Sequence, residues 1–185
     1  LGDVYKRQAT NNVSIDSLHI ESLDQNSGCA AQIVGAVQDF TVKNIVSTNS
    51  RCGVLLDSAI ANDPSGIIAN SSFRTYQSAI TINSGATASD ITIKNNILLG
   101  QGTQYGVYNM DTGSNPDLDY NCYYNWSANT SGCAAGSHAV AADPQLAAPA
   151  PATPAQFALT ASSPCLGAGV NIAGVSDDYA GKSRR

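Results

Sequence analysis

Apolar and polar residues alternate along most of this chain, and the alternation returns at a nearly fixed interval. The segments NVSIDSLHI (12–20), DFTVKNIVS (39–47), GIIANSSFR (66–74), DITIKNNIL (90–98) and PDLDYNCYY (116–124) align, their starts 27, 27, 24 and 26 residues apart. A period of two within each segment marks a strand buried on one face. It places Ile15, Val42, Ile68, Ile93 and Leu118 on one inward position. A second strand recurs inside each unit, as AQIV (31–34), GVLLD (53–57), AITIN (79–83) and GVYNM (106–110). Gly, Ser, Asn and Asp gather between the strands, as turns require.

A unit of this length cannot close its own core, so successive units must stack. Leucine-rich repeats have similar periods, but the chain holds only eleven Leu and its half-repeats read as strands rather than helices. The expected fold is all-β: a right-handed parallel β-helix, a solenoid of about five coils of 24–27 residues. Residues 1–8 (LGDVYKRQ) fit no part of the repeat and read as an artefactual N-terminal segment. The coils are expected over 9–135, and an irregular Pro/Ala-rich tail over 136–185. Five of the seven prolines lie between 144 and 164. Proline removes a backbone donor, so this stretch cannot be an interior strand, and it is expected to cap the open end of the coils.

Composition narrows the alternatives. Hydrophobic residues make up 43% and charged residues 12%, with four Lys and one Glu, which leaves too few exposed-helix residues for a helical bundle. No apolar run approaches the ~20 residues that cross a bilayer, so no membrane span is expected. A formal charge of −5 argues against a nucleic-acid partner. Sixteen Asn are a stronger signal. Asn44, Asn70 and Asn95 follow the inward Val42, Ile68 and Ile93 by two residues, in register with Ser17 and Tyr120. Stacked at a bend they predict an amide ladder between coils, the alternative being amides that face a sugar.

The Asn-rich coils resemble the bacterial right-handed parallel β-helix proteins of the pectate-lyase-like superfamily. AADPQL (141–146), FAL (157–159), SSPCLGAG (162–169) and DDYAGKSR (177–184) resemble the "ADPxF", "FxLxxxSPCxdaG" and "DxdGxxR" elements of a C-terminal tail seen on many of them. Gln145, Leu146 and Gly167 depart from that pattern. The resemblance implies a secreted or cell-surface protein, here a C-terminal piece of a longer chain, that interacts with polysaccharide. Family lyases use acidic groups that hold Ca²⁺, and an Arg or Lys that removes a proton beside a uronate carboxyl. Family hydrolases use aspartates.

The residues offer candidates for that chemistry. One outward column carries Asp16, Lys43, Ala69, Lys94 and Asp119, either as catalytic groups or as the ion pairs Asp16–Lys43 and Lys94–Asp119. Asp57 and Asp111, in a column with Asn83, are weak Ca²⁺ candidates, and no other metal or cofactor is expected. Tyr105, Tyr108, Tyr124 and Trp126 are candidate sugar-stacking residues. Cys122–Cys133 and Cys29–Cys52 are candidate disulfides, the latter pair falling at nearly the same place on consecutive coils. Cleavage calls for a dense acid–base group on one face, and these coils show none. The expected function is therefore polysaccharide interaction by a monomer without a complete active site. A lyase or hydrolase, or a purely structural or adhesive surface module, are the alternatives.

Overall fold

The computed structural model describes residues 6–8, 12–21, 26, 28–34, 37–57, 65–102 and 104–183. It is a parallel β-solenoid of about four turns. One sheet stacks Ser14–Asp16, Phe40–Lys43, Gly66–Ala69, Ile91–Lys94 and Asp117–Asp119, all parallel. Within it Ile15, Val42, Ile68, Ile93 and Leu118 form one register column, each no more than 6% exposed. The period-two pattern thus becomes a continuous apolar wall. Gly66 lies in register with Phe40, where any Cβ would overlap the Phe40 ring. Glycine there lets the largest residue of this sheet's core turn inward.

The second sheet is bent. Val46–Leu56 and Ser72–Ile82 are each eleven residues long, and their pairing shifts register between Thr48 and Cys52. Asn49 takes a positive φ of 57° at that bend. Above them the same path is split into Ile97–Leu99 and Tyr105–Asn109, then Cys122–Tyr124 and Ala128–Ser131. Below them lie His19–Glu21 and Cys29–Val34. The backbone of Lys6–Gln8 pairs parallel with Gln32–Val34. The repeat pattern left residues 1–8 outside the fold; in the structure these three extend the sheet.

Residues 133–183 are irregular, and the one helical element among the described residues is the 3₁₀ turn Pro154–Phe157. Val140 forms a bridge with Cys122, while Cys133, Ala135 and Ala139 pack against the core. The proline-rich stretch runs instead along the outside of the bent sheet. Phe157 is buried there against Val46 and Leu99, with Leu146 and Tyr179 beside them, whereas Leu166 stays 53% exposed. No described helix is long and apolar enough to cross a membrane.

Candidate functional site

The column expected to hold an amide ladder does something different. Ser17, Asn44, Asn70, Asn95 and Tyr120 all have positive φ, between 51° and 60°. This is the left-handed turn that Asn tolerates better than most side chains. Their amides do not bond one another. Asn44 Nδ2 donates to Asp16 Oδ1 at 3.0 Å, Asn70 Nδ2 to Asp177 O at 3.4 Å, and Asn95 Nδ2 to Val170 O at 2.7 Å. The coil-to-coil ladder lies one residue further on. Asn121 Oδ1 accepts from both the backbone N–H and Nδ2 of Asn96 at 3.0 Å. Asn96 Oδ1 accepts from Ser71 N–H at 3.0 Å, and Ser71 Oγ from Ile45 N–H at 3.1 Å. Ser71, Asn96 and Asn121 are fully buried, where unpaired backbone groups are costly.

On the flat sheet, Asp16, Lys43, Ala69, Lys94 and Asp119 do share a register column. Lys43 Nζ lies 3.2 Å from Asp16 Oδ2 and 3.0 Å from Asp177 Oδ1. The hydrogen bond to Asp177, opposed by partial burial and reinforced by Asp16, raises the Lys43 pKa. Partial burial pushes the Asp16 carboxyl up, but hydrogen bonds from Ser17, Asn44 and Lys43 together hold it below the usual range.

The expected Lys94–Asp119 pair is not formed. Lys94 Nζ binds Asp117 at 2.6 Å. Asp119 instead accepts from His138 Nδ1 at 2.7 Å, His138 N–H at 2.8 Å and Tyr120 N–H at 2.9 Å. The His138 imidazole stacks on Tyr120, centroids 4.4 Å apart. Gly136, with φ of 86°, allows this approach, since a Cβ there would overlap Asp119 and the Leu118 carbonyl. Partial burial raises the Asp119 pKa, and the His138 contacts outweigh it to leave the pKa lowered. Ala69 separates the two charged groups by two strand spacings, ~10 Å, so they do not converge on a substrate atom.

A different constellation forms on the outside of the bent sheet. Glu21, Thr48, Arg74, Leu99 and Tyr124 are in register. A cleft of about 250 Å³ is lined by Arg74, Leu99, Gly100, Gln101, Tyr124, Asn125 and Pro149. Tyr124 is 41% exposed. Arg74 Nη1 donates to Asn49 Oδ1 at 2.8 Å, and among the described residues no carboxylate pairs with it. Gln101 Nε2 is buried with no partner. Asn125, at φ 60°, turns the chain at the rim and donates to Gly100 O.

Of the other aromatic candidates, Trp126 is structural: its indole N–H donates to Leu98 O at 3.0 Å and its ring packs beside Gly100. Tyr105 and Tyr108 contact each other on another face, centroids 5.0 Å apart. Arg74, Gln101 and His138 were not singled out from sequence. Arg74 was findable, because it and Tyr124 both stand six residues beyond an inward residue, Ile68 and Leu118.

The Asp57–Asn83–Asp111 column is corrected at its third member. Backbone pairing aligns Met110, not Asp111, with Asn83 and Asp57. Asp57 accepts from Gln32 Nε2 at 2.8 Å and Asn83 Nδ2 at 3.4 Å, and Asp111 accepts from the Ser114 hydroxyl. No group of three metal-ligating side chains occurs among the described residues. Cys29 and Cys52 are in register and disulfide-bonded, Cα atoms 4.5 Å apart. Cys122 and Cys133 are both free thiols. They do not pair because Cys122 faces the tail carbonyl of Ala142, whereas the Cys133 sulfur contacts Ser131 O. Comparison with protein-family descriptions, curated proteins and solved structures finds no match to this chain.

Proposed function

We propose that this chain is a glycan-binding β-solenoid of a secreted or surface protein, akin to the pectate-lyase-like β-helices, whose cleft over Arg74 and Tyr124 takes an acidic polysaccharide. The observation that carries the reading is an exposed tyrosine ring in the same cleft as a guanidinium that no carboxylate among the described residues neutralises. A sugar's C–H face packs on an aromatic ring, and a uronate carboxylate matches the guanidinium fork. Gln101 Nε2 supplies a donor for a hydroxyl or carboxylate oxygen. Binding requires no metal in this reading, and the monomer suffices.

Cleavage has less support. A lyase base needs a lowered pKa, and Lys43 is held protonated between Asp16 and Asp177. Asp16 and Asp119 are engaged acceptors rather than poised acids. The test is a calorimetric titration with oligogalacturonate and with neutral glucan oligomers of equal length, with and without Ca²⁺. The expected result is binding of the acidic chain alone, weakened by salt and at least about tenfold weaker in Arg74→Gln and in Tyr124→Ala. New reducing ends or unsaturated products would instead establish an enzyme. Equal affinity for neutral glucan, or two silent variants, would reject the cleft.

A further inference from the structure

Two of the three cysteines outside the Cys29–Cys52 bond meet across the junction of coil and tail. Cys122 opens the strand Cys122–Tyr124 of the last coil, buried, with its sulfur 3.6 Å from Ala142 O. Cys165 follows Pro164 in the tail, its N–H on Ser163 Oγ at 3.1 Å, and Ser163 in turn donates to Pro144 O. Both cysteines are thus docked on the same short stretch, 142–144. Both line one cleft of about 360 Å³, closed on its other side by Asn95, Tyr120 and the Gly167–Val170 turn. The Cys122 thiol donates to Ala142 O, and the two side chains interact with each other across the cleft.

We propose that Cys122 and Cys165 form an oxidation site, closing to a second disulfide that fastens the tail to the last coil. The interaction between the two thiols lowers the Cys165 pKa and, with burial, raises that of Cys122. Cys165 is also the more exposed of the two. It is therefore the attacking sulfur. Its thiolate displaces one thiolate from a small-molecule disulfide such as glutathione disulfide. Cys122 then loses its proton to solvent, and its sulfur displaces the second glutathione. Two protein thiols are oxidised and one glutathione disulfide is reduced to two glutathione molecules. Cys133 stays out of this exchange, because its sulfur lies against Ser131 O and not on the cleft that Cys122 and Cys165 share.

The full chain, equilibrated with glutathione disulfide, should titrate with one thiol in denaturant and lose two hydrogens relative to the three-thiol form. Its peptide map should link Cys122 to Cys165. Cys133→Ser must still close this bond, and Cys165→Ser must leave Cys122 and Cys133 both titratable. Opening the bond should lower the thermal midpoint by about 5–15 °C and speed proteolysis within 144–164. Three thiols after oxidation, a stable glutathione adduct on Cys165, a Cys122–Cys133 link, or a midpoint indifferent to reduction would each overturn the proposal.

Discussion

Asn95 and Val170 exchange a reciprocal pair of hydrogen bonds, Asn95 Nδ2 to Val170 O at 2.7 Å and Val170 N–H to Asn95 Oδ1 at 2.9 Å. One side chain therefore makes a left-handed turn in the fourth coil and also holds the tail. Asn70 and Lys43, on the third and second coils, both reach Asp177, so the tail runs back down the stack along one corner. Substitution separates the two roles. Asn95→Gly keeps the turn and loses the tail contact, costing about 1–3 kcal/mol and exposing the tail to protease. Asn95→Ala adds roughly 1–2 kcal/mol of backbone strain. Equal stabilities for the two variants, measured by denaturant melts, would remove the turn from the argument.

Gly66 and Phe40 test the packing of the flat sheet. A methyl at Gly66 overlaps the Phe40 ring, so Gly66→Ala should destabilise by about 1–3 kcal/mol. In a Phe40→Leu background the same change should cost less. Simple additivity of the two substitutions would contradict the contact.

Asn121 is the last member of the buried ladder and serves both Asn96 donors and the Ile93 carbonyl. Asn121→Ala removes the partner of the buried Asn96 backbone N–H and a donor from Ile93 O, whereas Asn96 Nδ2 keeps Ile68 O and Lys94 O. A loss of about 3 kcal/mol, or roughly 6–12 °C in thermal midpoint, is expected. A surface amide such as Asn83 should cost far less when replaced by Ala.

What was legible in the sequence was whatever repeats. Ile15, Val42, Ile68, Ile93 and Leu118 announced the stacked strands because a two-residue period leaves no other face to bury. The Asn column at 44, 70 and 95 was visible for the same reason, but its meaning was not. Asn signals both an amide ladder and a left-handed turn, and only the backbone distinguishes them. The true ladder is Ser71, Asn96 and Asn121 above Ile45, a column of mixed residue types that no single-letter pattern picks out. Contacts with the tail were beyond reach. His138 takes Asp119 away from Lys94, and Cys165 sits opposite Cys122, through turns that have no period.

The charged column sets the pH limits of stability. Asp16 and Asp119 have pKa values below the ordinary 3.8, so the stability they contribute is complete above that value and is lost as pH falls through their lowered pKa values. Lys43 is raised above 10.5, so its contribution is complete below that and is lost as pH rises through its raised value. Asp119→Asn should flatten the acid limb of a stability–pH curve, and Asp177→Asn the alkaline limb. Acid limbs that superimpose for wild type and Asp119→Asn would show that the His138 contact does not matter to folding.

The cleft is tested most directly by nuclear magnetic resonance, with the ¹⁵N-labelled chain titrated with tetragalacturonate. The account predicts that shifts concentrate at the Arg74 guanidinium and at the Leu99, Gln101, Tyr124 and Asn125 amides, while Asp16, Lys43, Lys94 and Asp119 stay still. Shifts confined to that charged column, or no saturable shift at all, would contradict it.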